Sequence, residues 1–226
     1  MKSSPLLPVA AAAVALLAGC GSNPPVPDWQ MTAQSAVQRF TEAYLSGNTR
    51  VEQADYARAR AALASTGKAD MVLRAELTRC ATRVASLVFE PCAGYEALAQ
   101  DASAADQAYA AYLAGTPVAD TSLLPAQHRA VAAAVNSGGD AAAAVQAVEE
   151  PLSKLVASGV LLRTGKATPQ TLAGAVETAS AQGWRRPLLA WLGVQRMRAQ
   201  QAGDTAEAQR LQRRIDLAAE TAAGKP

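Results

Sequence analysis

The chain has 226 residues with 21 basic and 19 acidic side chains, a formal net charge of +2 and a single histidine. Half of it is hydrophobic, yet only 4% is aromatic, and alanine makes up about a quarter. Alanine and arginine are strong helix formers and strand-favouring Ile, Phe and Tyr are scarce, so the composition excludes a strand-rich fold and predicts an all-α one.

The first element is a leader. Lys2 supplies a positive start, and an alanine-rich apolar stretch runs from Leu6 to Leu17, interrupted by Pro8. A membrane-spanning helix needs about 20 apolar residues, so this stretch has the length of a secretory signal rather than of an anchor. Leu17-Ala18-Gly19-Cys20 follows. These four residues resemble the lipobox of bacterial lipoproteins, at which a dedicated signal peptidase cleaves before a lipid-modified cysteine. The resemblance covers the first twenty residues. It implies a mature chain that begins at a diacylated Cys20 and hangs from a membrane, rather than an ordinary secreted chain with a spare thiol. Gly21, where an aspartate is associated with inner-membrane retention, points by the same resemblance to the inner leaflet of the outer membrane, facing the periplasm. Buried acyl methylenes contribute about 0.8 kcal/mol each, so two or three chains anchor firmly.

Residues 20–28 form a tether, with Pro24, Pro25 and Pro27 favouring extended backbone over about 20 Å. Asp28 caps a predicted helix to about Ser46, whose apolar face carries Ala33, Val37, Phe40 and Tyr44. A second helix after Gly47-Asn48 carries Tyr56 and Leu63 and stops at Gly67. The third has the clearest period: Leu73, Leu77, Cys80, Val84 and Leu87 on one face, Arg74, Arg79 and Arg83 on the other. It should end before Pro91. Weaker alanine-rich helices are expected from about Tyr95 to Ala114, and Gly115 to Pro125 has no helical period, which marks a junction. Residues 29–115 and 126–222 are thus expected as N- and C-terminal helical parts. In the second, helices are predicted over 126–136 and 140–150, from Pro151 to about Leu162, from Pro169 to near Gly183, and over Arg186–Ala202 and Thr205–Thr221. Gly203-Asp204 is a compact turn, so the last two should form an antiparallel hairpin.

The succession of hairpins resembles α-solenoid proteins of the tetratricopeptide kind. Gly47-Asn48-Thr49 and Gly203-Asp204-Thr205 are its two most similar turns. They stand 156 residues apart, not a whole multiple of that family's 34-residue period. The reading is therefore an array or bundle of helical hairpins without a true repeat.

Charge is unevenly spread. Cys20 to Arg83 carries +2, Val84 to Ser153 carries −7, and Lys154 to the end carries +6. Either the helices neutralise one another within the monomer, which is the expected case, or the basic C-terminal part meets an anionic partner.

Cys80 and Cys92 are the only cysteines after Cys20, and a secreted chain permits a disulfide. With Cys80 on a helix, pairing needs Pro91 to turn the chain back along it. A loop this short contributes on the order of 3 kcal/mol. A metal centre would want four ligands at recognisable spacing, and neither a Cys-x-x-Cys pair nor a second histidine is present. No cofactor is called for. His128 lacks a neighbouring acid to orient it and is expected at the surface, in a first helical turn. No Gly-x-Ser-x-Gly elbow occurs. Glycoside hydrolysis needs two placed carboxylates. Glu149 and Glu150 are adjacent and diverge by about 100° on a helix. Catalytic residues are therefore not assigned, and the chain is read as a non-enzyme.

Trp184-Arg185-Arg186 is the most pointed polar feature. An exposed indole beside two guanidinium groups would grip an anionic envelope partner. Alternatively, Trp184 packs into the core at a helix corner and the arginines are solvated. The expectation is a lipid-anchored, periplasm-facing binding or assembly adaptor, meeting the membrane through Cys20 and a protein or anionic partner elsewhere, with no role for nucleic acid. An enzyme or accessory factor of cell-wall metabolism is one alternative. A structural lipoprotein without a specific ligand is the other.

Overall fold

In a computed structural model, residues 25–223 are described, and among them there are eleven α-helices and no strand. They are α1 (Asp28–Leu45), α2 (Thr49–Ala64), α3 (Ala69–Ala85), α4 (Ala93–Glu96), α5 (Ala104–Leu113), α6 (Ala126–Ser137), α7 (Ala141–Gln146), α8 (Pro151–Arg163), α9 (Pro169–Ala181), α10 (Arg185–Gln201) and α11 (Thr205–Ala223). The expected signal peptide, Cys20 and most of the expected tether lie outside the described residues. No described helix is long and apolar enough to cross a membrane.

The chain departs from the sequence reading where acids cap helices. The helical stretch expected over Tyr95–Ala114 resolves into α4, a 3-10 turn at Ala99–Asp101, and α5, with breaks that the sequence did not locate. A capping box restarts it: the Ser103 hydroxyl accepts from the Asp106 N–H, and the Asp106 carboxylate accepts from the Ser103 N–H. Likewise α7 stops at Gln146, because Glu150 accepts from the Leu152 and Ser153 N–H groups to open α8. Asp120 and Asp140 cap a 3-10 turn and α7 in the same way. Half of the acids in the acidic middle are thus spent on helix N-termini, where backbone N–H groups and the helix dipole favour negative charge. That corrects the expected mutual neutralisation. Glu90 pairs with Arg83 and Asp106 with Arg74, but among the described residues no ion pair joins the middle to the basic C-terminal part.

The core is organised around α3, which packs against α1, α2, α5 and α8. Its closest crossing is with α8, where a Cβ on Gly159 would overlap the Val84 carbonyl. Trp191 of α10, fully buried, donates its indole N–H to the Ala85 carbonyl at 3.0 Å and so satisfies an end of α3. The largest buried cluster runs from Tyr44 through Leu73, Tyr112, Leu155 and Trp191 to Leu211. Both expected helical parts contribute to it.

Candidate functional site

Cys80 sits in α3 and Cys92 immediately precedes α4; their Cα atoms are 5.9 Å apart and their sulfurs are joined in a disulfide. The reversal that brings them together occurs at Leu87, not at Pro91. Leu87 has φ 61°, its N–H donates to the Val84 carbonyl, and the Val88 N–H reaches back to Arg83. This is a Schellman ending, usually made by glycine. Among the described residues Leu87 is the only non-glycine with positive φ. The conformation costs about 1 kcal/mol, and the side chain offsets that by packing against the main core.

The segment from Val88 to Cys92 forms one wall of a cleft of about 520 Å³. Leu77 and Val84 of α3 and Ala110, Ala111 and Ala114 along α5 give it apolar sides. Val88 and Phe89 are exposed at its lip, and Arg163 places its guanidinium 5.4 Å from the Phe89 ring centroid.

On the other side of α3 lies a layer of buried charge. Glu52 accepts from Arg79 at 3.0 Å and lies 3.3 Å from Arg83. Asp55 meets Arg39 at 3.0 Å and Arg58 at 3.2 Å. Glu76 accepts from the Tyr56 hydroxyl and lies 3.5 Å from Arg60. Burial, helped by the Glu76 carboxylate, pushes the Tyr56 phenol up to about 12 and keeps it a donor. Every one of these carboxylates is already matched by guanidinium or phenol donors, so the layer clamps α1, α2 and α3 together. From sequence, Arg79 and Arg83 are placed only on the face opposite the apolar one, with no partner named. The missed signal was one of complementary faces: Glu52, Asp55 and Tyr56 at i, i+3 and i+4 share one face of α2, and Glu76, Arg79 and Arg83 at i, i+3 and i+7 share one face of α3.

His128 does lie in the first turn of α6, but it is buried rather than exposed, which corrects the sequence expectation. Its ring centroid stands 5.6 Å from that of Tyr109 and 5.0 Å from that of Tyr112. Burial pulls its pKa down to about 4, against a smaller opposing pull from Glu150, and Nδ1 has no hydrogen-bond partner. Nothing beside it orients it as a base.

Trp184, Arg185 and Arg186 come together at the corner where α10 begins, against the α1–α2 turn. Trp184 is buried and donates its indole N–H to Glu42 at 2.9 Å. Arg186 donates to the Tyr44 carbonyl at 2.7 Å and to Thr49 Oγ1 at 3.0 Å, with its guanidinium 4.3 Å from the Tyr44 ring centroid. Arg185 covers Gly47, whose φ of 87° and lack of a side chain both suit the contact. The trio therefore has its indole and one guanidinium turned inward, of the two arrangements the sequence left open.

The C-terminal part offers a second concavity. The α10–α11 hairpin and α9 lie side by side, leaving a groove of about 600 Å³ floored by Leu172, Val176, Ala199 and Leu211. Arg198, Arg210 and Arg214 line it along with Glu177, Asp204 and Glu207. Arg210 is taken by Glu207 at 2.6 Å, and Asp204 caps α11. Among the described residues Arg198 and Arg214 form no salt bridge; Arg198 reaches the Ala167 carbonyl at 3.4 Å, and Arg214 helps Arg210 hold the Glu207 carboxyl below its usual range.

No family model, curated protein or solved structure matches this chain. Its chemistry must be read from its own surfaces. Among the described residues no group of three or more His, Cys, Asp or Glu side chains is placed to hold a metal ion.

Proposed function

We propose that this protein is a lipid-anchored, periplasm-facing adaptor of the bacterial envelope, held in the inner leaflet of the outer membrane through Cys20 and engaging an anionic protein surface with its C-terminal hairpins. The observation that carries the binding role is the groove between α9 and the α10–α11 hairpin, where, among the described residues, Arg198 and Arg214 form no salt bridge above an apolar floor. An acidic, amphipathic segment of a partner supplies both the missing charges and the missing apolar cover. Arg185 and Arg186, which the sequence offered for this role, belong to an internal corner and are poor choices for a partner test.

The location rests on Leu17-Ala18-Gly19-Cys20. Changing Cys20 to Ser should release folded protein into the soluble periplasmic fraction, and retention in the membrane fraction would overturn the anchor. A photocrosslinker at the exposed Ala173 on the rim of the groove should give a discrete adduct in cells. That adduct should disappear when Arg198 and Arg214 become Glu, whereas an adduct indifferent to the charge reversal counts against this groove.

A further inference from the structure

The cleft beside the disulfide carries an inference independent of the C-terminal groove. Its volume of about 520 Å³ falls within the range of small-molecule sites, roughly 300–1,000 Å³. Small side chains make the room: Ala110, Ala111 and Ala114 stand where larger residues would fill the space. The disulfide keeps it open on the other side, because Cys92 fixes the end of the Val88–Cys92 wall to α3.

Charge around the cleft is selective. Of the four charged side chains lining it, Arg83 and Glu90 pair with each other at 3.3 Å, and Arg83 also serves Glu52. The other two, Arg163 and Glu96, form no salt bridge among the described residues. They stand toward opposite ends of α5. Arg163 reaches its last turn, with Nη1 3.5 Å from the Leu113 carbonyl. Glu96 ends α4, and its neighbour Tyr95 is close enough to the first turn of α5 for the Asp106 carboxylate to help burial in raising its phenol. Along α5 the lining runs from Gln107 to Ala114, about 10 Å at 1.5 Å per residue.

A simple fatty acid would satisfy Arg163 and the apolar sides but leave Glu96 without a counter-charge. A ligand with a carboxylate at one end, an ammonium at the other and apolar bulk between satisfies both. Extended chain spans about 3.3–3.6 Å per residue, so a tripeptide covers about 10 Å. We propose that this cleft binds a short peptide with both ends free, about three residues long, its carboxylate on Arg163, its ammonium on Glu96 and an apolar middle side chain against the alanines of α5. A guanidinium supplies paired donors to a terminal carboxylate, and the exposed Phe89 beneath it holds it at the lip.

Titration calorimetry on the full mature chain, with its disulfide intact, tests this using alanyl-leucyl-alanine as the probe, alongside its N-acetylated and C-amidated forms and decanoate. The free tripeptide should bind with saturable heat, and capping either end should weaken it tenfold or more. Arg163→Gln should abolish the preference for the free carboxylate but keep the penalty for acetylation, Glu96→Gln should do the reverse, and Arg163→Lys should restore most of the carboxylate preference. Because Arg163 and Glu96 are exposed, these variants should keep the helical circular dichroism of the parent. Equal binding of capped and free peptides, binding of decanoate alone, or no heat from protein of unchanged helicity would each overturn the proposal. Reversing Arg198 and Arg214 should leave the tripeptide isotherm unchanged, which separates failure of this site from failure of the adaptor role.

Discussion

At the scale of single residues, His128 shows how the fold can set the behaviour of a side chain against its sequence neighbourhood. Pro125-Ala126-Gln127-His128-Arg129 reads as a polar first turn, and only the arrival of Tyr109 and Tyr112 from α5 buries the imidazole. The groups that face it are those two phenols, with Glu150 as the one carboxylate that pulls its pKa upward. A histidine held near 4 when folded and near 6.5 when unfolded binds fewer protons in the native state across that interval. The native protein is therefore at full advantage above about pH 6.5 and loses stability as the pH falls toward 4. By pH 5 the loss is about 2 kcal/mol. Urea denaturation at pH 7.5 and pH 5 measures it directly. His128→Phe, which keeps an aromatic ring between the two tyrosines, should remove most of that difference, and a variant that keeps the full pH slope would show that another group is responsible.

At the scale of helices, the sequence made most of the elements legible, and the misses share one cause. Apolar period located α1, α3 and α11 to within a few residues, because their faces repeat over four turns or more, while Gly47-Asn48 and Gly67 bounded α2, Pro151 placed the start of α8 and the Gly203-Asp204 turn the end of α10. The breaks at Ala102 and Ala147 were invisible to that method, since alanine-rich segments have no contrast between faces. There, capping by Asp106 and Glu150 decides where helices start. The disulfide was readable from two cysteines in a chain expected to be secreted, but the turn that allows it was not, because Leu87 adopts a glycine conformation. Neither cleft nor groove was readable, for each needs side chains from three or more elements. Helix glycines carry a related lesson. Gly159 lies where a methyl would overlap the Val84 carbonyl at the α3–α8 crossing, while a methyl on Gly193 of α10 would meet nothing within 4 Å. Gly159→Ala should therefore destabilise by about 1–3 kcal/mol through overpacking. Gly193→Ala should stabilise by about 0.5–1 kcal/mol through helix propensity alone. Thermal melts of the two variants side by side check both signs, and equal effects would mean the α3–α8 contact is looser than the geometry demands.

At the scale of the whole molecule, the question is whether the stretch from Gly115 to Pro125 separates two parts that fold alone. The sequence marks it as a junction because it has two prolines and no period. Three physical links oppose independence. The largest buried cluster takes Tyr44, Leu77 and Tyr112 from one side of the stretch and Leu155, Trp191 and Leu211 from the other. The crossing of α3 with α8 places a glycine of the second part against the backbone of the first. At the far edge, Glu42 and the Tyr44 carbonyl accept hydrogen bonds from Trp184 and Arg186, which lie 142 residues further along the chain. The stretch itself is also held, as the Asn136 side chain donates to the Val118 carbonyl at 2.8 Å. A fragment ending at Gly115 would expose Leu73, Leu77 and Val84, together with the unsatisfied Ala85 carbonyl that Trp191 covers in the intact chain. Leaving such groups in water removes the burial that offsets chain entropy. The intact chain should therefore unfold in one cooperative transition, with circular dichroism and tryptophan fluorescence tracing the same denaturant curve. A fragment of residues 20–115 should show low, non-cooperative helicity. Adding a separate fragment of residues 116–226 should restore the helical signal at micromolar concentration. If the first fragment instead melts cooperatively by itself, the core is divisible at this junction, and the binding groove could then be studied on its own.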